Sequence, residues 1–332
     1  MPLRFIPAAS LPALLILCSG AFAFQASSSD AQVSIKPRFR TVASVNAPNL
    51  PPKADLRVDS ALILVPVHVT TPAGTSVTTL TKETFHLFED NVEQKIAHFT
   101  REDAPISIGL LFDSSGSMHN KMKKCSEAAA EFFKTANPED EFFLVEFNER
   151  PKLAVPFTTD PDELNHHIAR TRPYGRTSLL DAIHMALVQM KNARNLRKAI
   201  VIISDGGDNR SRFTAGEIKN AMLESDVQVY AMGIFDNEEL RHTPEEQNGP
   251  HLLEVLAHET GGRHYPVDDI NELASISTRI GQELREQYSI GYTSTNPERD
   301  GKYRRIRVTV TPPPELPKLR SYYRQGYFAP TQ

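Results

Sequence analysis

The sequence predicts an α/β protein: a doubly wound, mostly parallel sheet accompanied by a small β-domain formed from the flanking segments. Three observations carry this expectation. Between residues 104 and 286, apolar runs alternate with stretches whose apolar residues recur at helical spacing, the pattern of βαβ units. On either side of that region, period-two alternation and turn signals appear with no helical pattern between them. One apolar run, Ile106–Phe112, passes directly into Asp113-Ser114-Ser115-Gly116-Ser117. Oxygen donors at the carboxyl end of such a strand lie where open α/β sheets bind ligands.

The elements follow in order. Arg4, the apolar stretch Leu11–Cys18 and the small-x-small triplet Ala21-Phe22-Ala23 read as a signal peptide over residues 1–23, and predict a secreted or periplasmic mature chain. The apolar stretch is short for a membrane span. An uncleaved anchor and lipid attachment at Cys18 are the alternatives, and the large Leu17 opposes the second. Residues 24–59, with Ser27-Ser28-Ser29 and Pro48–Pro52, read as a flexible leader.

Residues 60–103 form the first part of the expected β-domain. Ile63, Val65, Val67 and Val69 share one face of a strand, Pro72-Ala73-Gly74 is a turn, and Glu89-Asp90-Asn91 turns Phe85–Phe88 into Lys95–Phe99. The α/β region has strand patterns at Ile106–Phe112, Glu141–Phe147, Leu153–Phe157, Ala199–Ser204, Val227–Gly233 and Arg263–Val267. Helical spacing marks Ala128–Phe133, Leu179–Met190, Leu252–His258 and a last helix, Ile270–Gln287. Asp160-Pro161-Asp162-Glu163 and Thr214-x-x-Glu217 mark two helix starts. Residues 287–332 return to β texture, with strands at Tyr288–Thr293, Lys302–Thr311 and Tyr322–Phe328. Neither flank alone is large enough to bury a core, so the two are expected to pair.

A formal net charge of -4 with no basic block points away from nucleic acid. No later segment is apolar enough to span a bilayer. Once the signal is removed, Cys125 is the one cysteine left. No intramolecular disulfide is then available, and Cys125 is expected to be a buried thiol, with a reactive one as the alternative.

The candidate site begins with Asp113, Ser115 and Ser117 at i, i+2 and i+4, with Gly116 allowing a tight turn. Thr177 precedes the helix Leu179–Met190, and Asp205 follows the strand Ala199–Ser204. A doubly wound sheet can bring these three loops together. An all-oxygen donor set suits Mg²⁺, Mn²⁺ or Ca²⁺. The simpler alternative is that Asp113 and Ser115 cap a helix and Asp205 caps a turn. Asp208 is expected to be a solvated loop acid, with a supporting or partner-facing role as the alternative.

These residues resemble the von Willebrand factor type A family, whose metal-ion-dependent adhesion site is Asp-x-Ser-x-Ser followed by a Thr and an Asp. All five positions are filled in order by Asp113, Ser115, Ser117, Thr177 and Asp205. The resemblance covers roughly residues 104–286, and the flanks resemble those of exported bacterial proteins of the family. It implies that Ser115 and Ser117 bind Mg²⁺ directly and that Thr177 does so directly or through water. Asp113 and Asp205 would hold coordinated waters or bind directly. It further implies a binding module and not an enzyme, completed by an Asp or Glu carboxylate of a protein partner. In adhesion members of the family the last helix shifts on binding.

Other chemistry finds little support. Gly-x-Ser-x-Gly, Walker-type loops and His-Glu-x-x-His are absent. His251, His258 and His264 lack zinc spacing, and the adjacent His166 and His167 are expected to be exposed. Two alternatives to a binding module stay open. One is a metal-assisted hydrolase or phosphatase, for which Glu146 and Asp208 are the candidate bases. The other is a scaffold whose metal only holds loops together.

Overall fold

The computed structural model describes residues 62–101, 103–235 and 244–331. The expected signal peptide with Cys18, and the expected leader, lie outside the described residues. The first four strands are β1 (Ile63–Thr70), β2 (Phe85–Glu89), β3 (Val92–Gln94) and β4 (Ile96–Thr100). The α/β region opens with β5 (Ile106–Asp113), α1 (Met122–Phe133), β6 (Glu141–Phe147), β7 (Pro151–Thr158), α2 (Pro161–Ile168) and α3 (Leu179–Met190). It continues with β8 (Arg197–Ser204), α4 (Ala215–Glu224), β9 (Gln228–Ile234), α5 (Pro244–Glu259), β10 (His264–Val267) and α6 (Leu273–Arg285). Four strands follow: β11 (Gln287–Tyr292), β12 (Tyr303–Val310), β13 (Arg320–Tyr322) and β14 (Gly326–Phe328).

The central sheet has six strands in the order β10-β9-β8-β5-β6-β7. Every pairing in it is parallel except β6 with β7. The chain leaves β5 toward β6, returns at β8 on the other side of β5, and then runs outward to β9. The switch point of the topology therefore lies between β5 and β8, where such sheets leave a crevice at the carboxyl ends.

β5 is buried along all eight residues, as a central parallel strand covered on both faces must be. Its Ile106, Ile108, Leu110 and Phe112 join α1, α2 and α6 in one core, and Leu111 joins α3, α4 and α5 in the other. Gly109 is needed for packing: a Cβ there would sit 2.3 Å from Cζ of Phe143. The expected caps are formed. Asp160 accepts from the backbone N–H of Asp162, and Thr214 and Glu217 close a reciprocal box at α4.

The flanking strands pair with each other across the α/β region. They make two four-stranded sheets, β13-β1-β11-β4 and β14-β12-β2-β3. Both sheets feed one core that includes Val65, Val67, Leu87, Tyr288, Ile290, Ile306 and Val308. Asp90 and Asn91 take positive φ, 46° and 68°, and join β2 to β3 by a tight hairpin. Three boundaries differ from expectation. The run Lys95–Phe99 is not continuous with its hairpin, because the chain changes sheets at exposed Lys95. Tyr322–Phe328 divides into β13 and β14, again in different sheets. The last helix stops at Arg285, because Gln287 pairs with His68 in the β1–β11 ladder.

The two layers meet over a buried polar cluster. Glu283 of α6 is 1% exposed. It accepts from the Arg263 guanidinium and the Tyr265 hydroxyl, and from Arg279 Nε at 3.4 Å. Arg279 also donates to the carbonyl of Gly74 at 2.9 Å. His68 of β1 faces the carboxylate at 3.6 Å. Burial, with Arg263 and Arg279 adding to it, holds the His68 imidazole down to about 3, so it is neutral.

Candidate metal centre

Asp113 is the last residue of β5 and is fully buried. Its Oδ1 accepts from the backbone N–H of Ser115 at 2.8 Å, and its Oδ2 accepts from Ser204 Oγ at 2.5 Å. Burial, then the nearby Asp205 charge, pushes the Asp113 carboxyl up to about 7, against the opposing hydrogen bonds from Ser115 and Ser204. Neither Asp113 nor Asp205 forms an ion pair among the described residues. Two neighbouring carboxylates with no ion-pair partner among the described residues favour negative potential at the switch point.

Hydrogen bonds stitch three loops around it. The β5–α1 loop is tied to the loop before α3 by Gly116 N–H to Gly175 O at 3.0 Å and by Tyr174 N–H to Ser114 O at 2.9 Å. That second loop is tied to the one after β8 by Thr177 N–H to Asn209 Oδ1 at 3.0 Å and by Asn209 N–H to Thr177 O at 3.1 Å. The post-β8 segment returns to β5 through Ser204 and Asp113. The three joints close a ring that carries all five predicted residues.

The donors are all oxygens, the chemistry of a hard divalent cation, and one pair of them can be compared with an octahedral shell. Ser115 Oγ and Ser117 Oγ are 3.1 Å apart. Neighbouring ligands of an octahedral Mg²⁺ are separated by about 2.9 Å, from metal–oxygen distances near 2.05 Å. Burial is graded across the set: Asp113, Ser115 and Thr177 are buried, Asp205 is half-buried and Ser117 is exposed. One side of the ring thus opens to solvent, with Tyr174 62% exposed in the adjoining loop. Among the described residues, no group of three or more His, Cys, Asp or Glu is arranged to hold a metal.

Several side chains were unmarked in sequence or take a different place. Ser204, directly before Asp205, holds Asp113. Ser114 donates to the Phe147 carbonyl at 3.2 Å and accepts from Asn148 Nδ2 at 3.3 Å. Only adjacency to the motif could have flagged Ser204 and Ser114, and no sequence signal pointed to Asn148. Asp208 is not a solvated acid. Its Oδ2 accepts from Leu180 N–H at 2.8 Å and Ser211 Oγ at 2.7 Å, capping the first turn of α3. His167 is half-buried, not exposed, and its Nε2 meets Glu146 Oε2 at 2.8 Å. Cys125 is buried, and burial pushes its thiol up to about 12, the state of an inert structural thiol. His251 and His258 are exposed, and half-buried His264 bonds Glu254 at 3.2 Å.

The strand order, the crevice between β5 and β8, and the ring of donors over it define a Rossmann-like domain with a switch-point site. Residues 108–207 match the family model for the von Willebrand factor type A domain. The α/β layer has the fold of that family, and the stretch similar to it in sequence runs from β5 to the residues just after β8. An uncharacterised protein of Borreliella burgdorferi is 27% identical over 145 residues, covering 39% of this chain and 42% of that protein. Inter-alpha-trypsin inhibitor heavy chain H2 of Sus scrofa is 27% identical over 192 residues, covering 48% of this chain and 20% of that protein. The match thus spans less than half of either relative's length. Among solved structures, a von Willebrand factor type A protein from Catenulispora acidiphila aligns with TM-score 0.49 and 13% identity over 73% of each chain. The von Willebrand factor domain of the type V pili tip protein Mfa5 from Porphyromonas gingivalis aligns with TM-score 0.45 and 14% identity, over 55% of this chain and 95% of that one.

Proposed function

We propose that this protein is an exported binding module, not an enzyme, whose metal-ion-dependent adhesion site engages an acidic side chain of a protein partner. Ser115, Ser117 and Thr177 would supply neutral oxygens to Mg²⁺, or to Mn²⁺ or Ca²⁺. Asp113 and Asp205 would supply the charge and hold coordinated water. The observation that carries the reading is the uncompensated carboxylate pair inside the stitched ring. A divalent cation would supply a counter-charge that no ion pair among the described residues gives this pair. The bound ion is an electrophile, and its shell stays short of negative charge because three of its ligands are hydroxyls. A partner Asp or Glu arriving from the open Ser117 side would complete that shell.

The chain's residues set the geometry. Ser204 and the Ser115 N–H orient Asp113, Asn209 orients Thr177, and the Gly116–Gly175 contact fixes the β5–α1 loop. The carboxylates suggested for hydrolysis are otherwise engaged, Glu146 with His167 and Asp208 at the α3 N-terminus, which favours recognition over catalysis. Among the described residues no helix is long and apolar enough to cross a membrane. The test is capture of partners from the native envelope by the immobilised mature chain. Capture abolished by chelator, restored by Mg²⁺ and lost in Ser117→Ala supports the proposal. Capture that ignores both chelator and Ser117→Ala contradicts it.

A further inference from the structure

At the opposite end of the central sheet, a cavity of about 910 Å³ opens between the β13-β1-β11-β4 sheet and the first residues of β8 and β9. Its floor is the sheet face turned away from the β core. Leu64, Gly291 and His98 lie in one row across that face. At Gly291 the floor is bare backbone, because a Cβ would meet Cβ of His98 at 2.8 Å and Cδ2 of Leu64 at 3.1 Å. Seven large apolar side chains are exposed among the described residues, and three of them, Leu62, Leu64 and Leu196, line this one cavity. Leu196 is 91% exposed. Apolar side chains gathered in a concavity of this size are the mark of a ligand site.

The cavity's polar groups are short of partners. Arg324 lines it and is only 8% exposed. Its Nη1 bonds Asp226, while its buried Nε finds no acceptor. Thr100 Oγ1, also in the lining, has no partner. Lys198 and Arg197, at the start of β8, line the same space and form no ion pair among the described residues. Arg197 donates to the carbonyls of Ala104 and Leu284 and to Gln287 Oε1, all uncharged. Three cations therefore stand against two carboxylates, Glu224 and Asp226, in the lining. Leaving a buried guanidinium N–H unpaired is costly unless something else accepts from it.

We propose that this cavity binds an elongated apolar ligand with one anionic head, of the class of a medium-chain carboxylate. The chain would lie along Leu62, Leu64 and Leu196, and the head would pair with Arg324 and Lys198. A smaller cavity of about 40 Å³ also lined by Arg324, Leu64 and Pro66 adjoins it. This inference is independent of the cation site, which lies at the other end of the strands.

The experiment is calorimetric titration of the mature chain, with chelator present and below micelle formation. The probes are dodecanoate, dodecyl phosphate, dodecanol and dodecyltrimethylammonium. The expected result is one-to-one binding of dodecanoate, weakened by about tenfold or more in Lys198→Gln and in Leu196→Asp. Both positions are at the cavity rim and leave the core intact. Arg324→Gln should weaken it further in whatever fraction folds. Dodecanol and the cationic probe should bind far more weakly. Tighter dodecyl phosphate assigns the head to phosphate within the same anionic class. No saturable binding, equal binding of cationic and anionic probes, or indifference to both rim variants would overturn the proposal.

Discussion

Asp113 and Glu283 are both carboxylates buried at the edges of the same α/β layer, and they are neutralised in opposite ways. Glu283 is surrounded by Arg263, Arg279 and the Tyr265 hydroxyl, so its counter-charge is built into the fold. Among the described residues Asp113 has no ion-pair partner: Ser115 and Ser204 hydrogen-bond it, and its charged neighbour Asp205 is of like sign. A buried charge that the chain itself compensates holds structure together, here α6 and β10 against β1. One that the chain leaves uncompensated weakens the metal-free fold and is the stronger pointer to a ligand.

Breaking the compensated side should give the largest effect. Arg263→Leu removes one of the two guanidiniums that pair with the buried Glu283 carboxylate, leaving Arg279 at 3.4 Å, and urea unfolding should show a loss of about 2–4 kcal/mol. Adding Glu283→Gln should recover part of that loss in a double-mutant cycle. On the uncompensated side the sign reverses. With chelator present near pH 8, Asp113→Asn should stabilise the chain by about 1–3 kcal/mol, because it removes a buried charge while keeping a similar shape. Stabilisation is not expected from Glu283→Gln alone.

The pH dependence follows from the same contrast. The folded Asp113 carboxyl titrates near 7, above its ordinary 3.8. Between those values the folded chain keeps a proton that the unfolded chain has released. Asp113 thus favours the fold at low pH, and that contribution is lost as pH rises toward 7. Thermal melts in chelator should decline across this window with a slope of at most about 1.4 kcal/mol per pH unit. Saturating Mg²⁺ should remove the decline, since the metal takes the deprotonated ligands. The smallest stability effect is expected from Ser117→Ala. The side chain is exposed, so its loss should change stability by less than about 0.5 kcal/mol while still impairing cation binding.

Much of the α/β layer was legible because its signals are local. Ile106–Phe112 and Ala199–Ser204 are continuous apolar runs, and Asp160 and Thr214 cap helices by short-range rules. The convergence of the loops that carry the five candidate residues was legible because two of these groups directly follow such runs and Thr177 lies just before a helix. What stayed hidden was set by distant partners. Asp208 reads as a loop acid, but the helix N-terminus it caps lies 28 residues away. Nothing near His167 in sequence announces Glu146, 21 residues earlier. The change of sheet at Lys95 and the split of Tyr322–Phe328 arise from which neighbour each strand finds. In sequence Ser204 is only a strand's last residue, because its hydroxyl acquires a role only once β5 lies beside β8.

The central claim is that the carboxylate pair at the β5–β8 switch point awaits a divalent cation. Titration of Mg²⁺ into the chelator-stripped protein, followed by heat, tests it most directly. The account predicts one saturable site, weakened by about tenfold or more in Ser117→Ala and abolished in Asp113→Asn. A chain that takes up no Mg²⁺, Mn²⁺ or Ca²⁺, or that binds equally with Asp113→Asn in place, would contradict it.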